Sequence, residues 1–322
     1  MHTVYSMQLK SGCNDVWRNP RIRFRTTLSG CICLLGLTLA PNAMWGWGEV
    51  GHVLSGKAAA ASMPEAMPEF FRKAANQLGY LTAEPDRWRD RGSAALTDAF
   101  NPDHAINLEL VPPGGLEAKD RFAYLAMLQS DGKTSAVGMA PFRTLEMYQR
   151  LRVEFRLWRK ATDPQTRGWI EQRIINDAGI LGHYVTDGAE PLHTTIHHHG
   201  WVGENPNGYA TDPEIHARFE SQYVETHIVL SDLASQISGA PHVLTNEQGQ
   251  IVAYFRATHE QVVQLYELDK KAPFNGTTTA PENKVFVVQR LAFGVNMLRD
   301  LWWSAWITSA PSSSTPTVPP PA

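Results

Sequence analysis

The stretch Trp169-Ile-Glu-Gln-Arg-Ile-Ile-Asn-Asp-Ala-Gly-Ile-Leu-Gly-His-Tyr-Val-Thr-Asp187 decides the fold. Its apolar residues Ile174, Ile175, Ala178, Ile180, Leu181 and Tyr184 recur at steps of three and four, the period of a helix packed on a core rather than of an alternating strand. The same stretch carries His183 and Asp187 four residues apart, so both side chains leave one helix face about a turn apart. Two such groups can share a metal ion.

Outward from this segment the helical period continues. Arg143 to Lys160 places Leu145, Met147, Tyr148, Leu151, Val153, Phe155 and Leu157 at mixed three- and four-residue spacings between arginines. Residues 51–61, 216–237, 259–270 and 284–307 read likewise, and alternating strand patterns are hard to find. The expectation is an all-α, single-domain bundle of roughly seven or eight helices. No repeat, linker or low-complexity break interrupts residues 47–309, read as one domain, whereas the Pro/Ser-rich residues 310–322 read as a disordered tail.

The amino-terminal end reads as a secretory signal peptide over residues 1–46. Arg18, Arg21, Arg23 and Arg25 precede an apolar run, Cys31-Ile-Cys-Leu-Leu-Gly-Leu-Thr-Leu-Ala40, and a turn-forming Pro41-Asn42 follows. The run is too short to span a bilayer as a permanent helix. Leu28-Ser29-Gly30-Cys31 has the look of a lipid-attachment box, but the apolar segment lies after that cysteine. A secreted or periplasmic protein is therefore expected, without stable membrane insertion and as a monomer. All three cysteines fall in the leader, which leaves the exported part without disulfides. That part keeps 24 basic and 31 acidic residues, a formal charge of −7. Such a balance argues against tight duplex binding, but not against a metal site that supplies its own positive charge.

Eleven of the 12 histidines lie beyond the leader, and their spacing is informative. Six residues after Asp187, past a break expected at Gly188 and Pro191, stands His193. His216 and Glu220 repeat the four-residue spacing on a later segment. Imidazole nitrogens and carboxylate oxygens so arranged are donors that zinc accepts. Nearer the start stand Trp47-Gly48-Glu49-Val50-Gly51-His52, Pro85-Asp86-Arg87-Trp88-Arg89 and Asn101-Pro102-Asp103-His104. Taken singly, His52 or His104 reads as a satisfied core histidine, and each four-residue pair as a helix-surface ion pair.

Taken in order, the set resembles the superfamily of three-zinc single-strand nucleases and zinc-dependent phospholipases C. The resemblance spans Trp47 to Glu220 and is most specific from His183 to His193, through Pro191-Leu192-His193. It implies a trinuclear zinc cleft in the bundle. One zinc would take Asp86, His104, His183 and Asp187. A second would take His52, a shared oxygen of Asp187, and the free amino group and carbonyl of Trp47. The third would take His193, His216 and Glu220. The implied activity is hydrolysis of phosphodiester bonds by a metal-activated water, with Asp86 and Asp187 as the catalytic carboxylates and Asp86 orienting or deprotonating that water.

Several features depart from the pattern. Trp47 offers an amino group only if cleavage follows Gly46, where Met44 poorly fits the small-x-small rule. Asp90 and Asp98 compete with Asp86 for its place, and the charged run of residues 86–91 also reads as a solvated face. Ala105 and Asn107 stand where the nucleases place an aromatic and an acidic residue to clasp a base. His216-Ala-Arg-Phe-Glu220 looks like the phospholipase version. The Trp47-Gly48-Glu49-Val50-Gly51-His52 start is similar to the nuclease version, so single-stranded nucleic acid is the first expected substrate, with phospholipid head groups as the alternative and a non-catalytic zinc-stabilised binding protein as the other class. His197-His198-His199 reads as a polar loop beside the site, and Leu298 to Trp306 as core rather than a stacking platform.

Overall fold

The computed structural model describes residues 47–90, 92–237 and 239–311, all within one compact unit. The expected signal peptide and residues 312–322 of the expected tail lie outside the described residues.

The fold is all-α. Among the described residues the only strand-like pairings are two isolated bridges, Ile106 with Gly138 and His198 with Gly200. The central helix, Pro164–Asp187, begins where the Asp163 carboxylate accepts the Thr166 N–H at 2.8 Å and a proline enters the first turn, which needs no donor there. From Asp177 to Asp187 every residue is buried. A helix buried on all sides must be surrounded. Four others do this: Gly48–Ala61, Ala75–Thr82, Ala140–Lys160 and the long Pro281–Thr308. Each large apolar side chain enclosed here, such as Ile174 or Leu181, stabilises the fold by about 1.5–3 kcal/mol.

Two glycines set how closely these helices approach. A Cβ on Gly56 would lie 2.9 Å from the Gly79 backbone, so Gly48–Ala61 and Ala75–Thr82 cross almost in contact. A Cβ on Gly179 would lie 2.3 Å from that of Leu81, which brings the end of Ala75–Thr82 down onto the central helix. Together they place Thr82 against His183.

The sequence reading is corrected in three places. Residues 216–237 are not one helix: Ile215–Ala217 runs into a π-helical turn at Arg218–Tyr223 and then Val224–His227, and Ile228 and Val229 are extended before Leu230–Ala234. His259 ends Glu247–His259 instead of opening the next helix, Val262–Lys271. The helices Ala75–Thr82, Arg121–Ser130 and Glu247–His259 went unread; the first two, at 8 and 10 residues, are too short for a helical period to stand out in sequence. The aromatic end is core, as expected: Trp302 is fully buried and donates to the Ala178 carbonyl at 3.1 Å, while Arg159 covers the Trp306 ring at 3.3 Å. No helix among the described residues is long and apolar enough to cross a membrane.

Candidate metal centre

The sequence scatters the expected ligands over more than 170 positions, and the bundle gathers their side chains into three buried groups. They are Asp86, His104 and His183; His52, His183 and Asp187; and Glu190, His193, His216 and Glu220. Every one of these residues is at most 2% exposed.

Asp187 lies at the centre. Its Oδ2 is 3.1 Å from His104 Nδ1 and 3.1 Å from His183 Nε2, while its Oδ1 is 3.3 Å from His52 Nε2. Asp86 faces both ways as well, with Oδ1 3.8 Å from His183 Nε2 and 3.9 Å from His104 Nδ1, and Oδ2 3.7 Å from His52 Nε2. In the third group Glu220 Oε2 is 2.9 Å from His216 Nε2 and 3.6 Å from His193 Nε2. Ligands at about 2.0–2.2 Å from a tetrahedral ion stand roughly 3.3–3.6 Å from one another. The measured separations bracket that edge, so these groups have the spacing of metal-ligand sets.

Hydrogen bonds behind the rings fix which nitrogen faces inward. His183 Nδ1 donates to the Thr82 carbonyl at 2.9 Å and His193 Nδ1 to the His104 carbonyl at 2.7 Å. The Thr186 hydroxyl spends its proton on the Gly182 and His183 carbonyls and so accepts from His52 Nδ1 at 2.8 Å. Each arrangement turns Nε2 into the cluster, the supporting geometry that metal-binding histidines need.

The fit to metal can be judged from what these atoms lack. His52 Nε2, both Asp86 oxygens, Asp187 Oδ1, Glu190 Oε2, His193 Nε2, His216 Nε2 and Glu220 Oε2 are buried without a hydrogen-bond partner. Such groups cost about 1–3 kcal/mol each when nothing satisfies them, and here they converge on one region. Divalent ions would satisfy all of them at once.

The charge states of two histidines suit metal donation, and the carboxylates differ among themselves. Burial pushes His216 down to about 3 and His104 well below its ordinary value, so both are neutral near pH 7 with lone pairs to give. Burial pushes the Asp187 carboxyl up, but the charges of His183 and His193 and hydrogen bonds from His104 and His183 outweigh it and hold it well below the usual carboxylate range. Burial, followed by the neighbouring Glu220 carboxylate, pushes Glu190 well above that range, and Glu220 itself is raised to about 7 by burial.

The remaining candidates fall into place around the cluster. Trp47 is fully buried one turn ahead of His52, and its indole N–H donates to the Thr186 carbonyl at 2.8 Å. Its own carbonyl accepts from Gly51 N at 3.1 Å, and its left-handed φ of 35° starts the helix that carries His52. Asp86, and not Asp90, joins the cluster: Asp90 is exposed and accepts from Ser93. Asp98 lies outside the cluster, on the wall of a cavity of about 330 Å³ that also includes Arg89, Asn101, Pro102, Ala105, Asn107, Thr134, Ser135, Ala136, Gly138 and His198. In the triple histidine, His197 stacks on Trp201 at 4.0 Å, and the His199 ring is 5.5 Å from that of His216.

Two functional candidates escaped the sequence reading. Glu190 belongs to the third group; its place three residues before His193 was visible in the sequence, but its burial was not. Arg89 lies within the run read as a solvated face, yet its side chain is 7% exposed, with Nη1 3.5 Å from Asp86 Oδ1, and both Nε and Nη1 lack a hydrogen-bond partner. Nothing in the local sequence marks it apart from its place three residues after Asp86. No protein-family model, curated protein or solved structure matches the chain.

Proposed function

We propose that this chain is an exported zinc-dependent phosphodiesterase that hydrolyses single-stranded nucleic acid at a three-ion cluster. The observation that carries the reading is the convergence of eight partnerless buried donor atoms around Asp187, at the spacing of metal-ligand sets. The histidine-rich donors suit zinc better than magnesium, which prefers oxygen ligands and retained water.

Divalent ions in such sites supply Lewis-acid polarisation of phosphoryl oxygens and make water acidic enough to attack near neutral pH. The chain's own residues do the rest. Asp187 spans two of the groups through its two oxygens, which fixes their separation. Asp86, whose oxygens accept no hydrogen bond, takes the proton of the attacking water. Arg89 stands at the cavity wall beside Asp86 and directs a fixed positive charge at the phosphate, where charge grows as the phosphorus–oxygen bond to the leaving alcohol breaks.

One observation favours a second reading, a phospholipase C acting on phospholipid head groups. The cavity beside the cluster has no Phe, Tyr or Trp among its lining residues to stack a base, a contact worth about 1–3 kcal/mol. Paired assays with single-stranded DNA or RNA and with short-chain phosphatidylcholine separate the two. Cleavage of the nucleic acid is expected, and hydrolysis of lipid alone would replace the first reading with the second. If zinc stays bound and both substrates survive, the cluster is a structural clasp of a binding protein. Asp86→Ala is expected to lower turnover by roughly 10²–10⁴-fold while most zinc is retained; full activity in that variant removes Asp86 from the mechanism.

A further inference from the structure

We propose that Glu190 is a fourth protein ligand and turns the third group into a closed, charge-neutral metal site that fastens the chain together and offers no position to substrate. The inference rests on the reading that the cluster holds zinc, but not on phosphodiesterase activity.

The resemblance in the sequence supplies three ligands here, His193, His216 and Glu220. The structure adds Glu190 to the same buried group. Its Oε2 lies 3.8 Å from His193 Nε2 and 3.6 Å from His216 Nε2, close to the edge of a tetrahedron around one ion, and it has no hydrogen-bond partner. The other oxygen, Oε1, accepts the Leu192 N–H at 3.0 Å, which fixes the carboxylate with Oε2 turned inward. Glu190 is fully buried, so water cannot take over its charge.

Four protein donors leave a tetrahedral ion no open position, the arrangement of structural rather than catalytic zinc. Two carboxylates also cancel the charge of one divalent ion. The groups around Asp86 and Asp187 differ, with two carboxylates for two ions, and keep a positive excess for an anionic substrate. The third site instead ties the Pro191–Thr194 turn to the π-helical turn Arg218–Tyr223, which holds Glu220 at the right height beside His216. Substrate contact and catalysis then fall to the other two ions.

The test counts zinc during dialysis of the loaded, exported protein against a competing chelator. The wild type should release one ion much more slowly than the other two. In Glu190→Gln that last ion should leave at least tenfold faster, with the release of the other two unchanged. If Glu190 merely caps the turn, the glutamine carbonyl still accepts from Leu192 and the release curve stays as in the wild type, which overturns the proposal. A wild type that never holds zinc sinks both this inference and the functional reading, whereas three ions with an unchanged curve sink this one alone. Should the variant fail to fold, a crystal structure of the zinc-loaded wild type decides. Glu190 Oε2 at about 2.0–2.2 Å from the ion is expected, and a water interposed between them contradicts the proposal.

Discussion

Arg89 places a guanidinium in a setting that needs a reason, since a nearly buried cation with two unpaired donors is costly. Its neighbour Asp86 neutralises part of the charge, and under the proposed function the Arg89 side chain, which lines the cavity, would meet a substrate phosphate there. Replacing it with methionine keeps most of the volume and removes the charge. Arg89→Met is expected to lower kcat by roughly 10²–10³-fold with the zinc content unchanged; unchanged turnover would return Arg89 to a packing role. At this scale the sequence revealed the residues whose type and spacing are diagnostic together, His183 with Asp187 and His216 with Glu220. It hid Arg89 and Glu190, whose identities are ordinary on a surface and acquire meaning only through burial. It also left Asp86 in competition with Asp90, because their separation by one helical turn made either a plausible partner until one was buried and the other exposed.

Among the elements, the central helix was legible because its period is strong and Gly188 marks its end, although its first turn, capped by Asp163 and opened by Pro164, lies ahead of the stretch read from Trp169. The region after His216 was not, since a π-helical turn keeps the apolar residues of a helix while shifting their register. The paired helices Ala140–Lys160 and Pro164–Asp187 also hold a charge cluster away from the metal centre. Glu154 there faces Asp177, with the Arg150 and Arg173 Nε atoms each 3.7 Å from its Oε1, and Arg150 also pairs with Asp177. Burial first, and then the Asp177 carboxylate, pushes Glu154 from 4.5 up to about 8. Between those values the folded chain holds a proton that the unfolded chain has lost. Its contribution to stability is therefore complete below about pH 4.5 and fades as the pH rises through about 8. The thermal midpoint of the wild type should fall more steeply from pH 6 to pH 9 than that of Glu154→Gln, whose side chain is neutral throughout; identical slopes would contradict the assignment.

At the scale of the molecule, the absence of cysteine from residues 47–322 and a buried cluster of partnerless donors point to metal as a component of stability. An ion present at a thousandfold over its dissociation constant contributes about 4 kcal/mol to the folded state. At roughly 2–4 °C per kcal/mol for a chain of this class, chelation should lower the melting midpoint by on the order of 10 °C, and zinc should restore it. The all-α class and the gathering of the ligands were legible because helical period and ordered ligand spacing survive in a single sequence. The depth of the cluster and the character of the cavity were not, since both arise from how distant helices such as Gly48–Ala61 and Pro164–Asp187 cross. The most direct test of the account is the metal content of the purified, exported protein, counted by mass spectrometry with its first residue read in the same experiment. The account predicts three zinc ions per chain and a free amino group on Trp47. One ion or none, with Trp47 internal, would contradict the trinuclear centre.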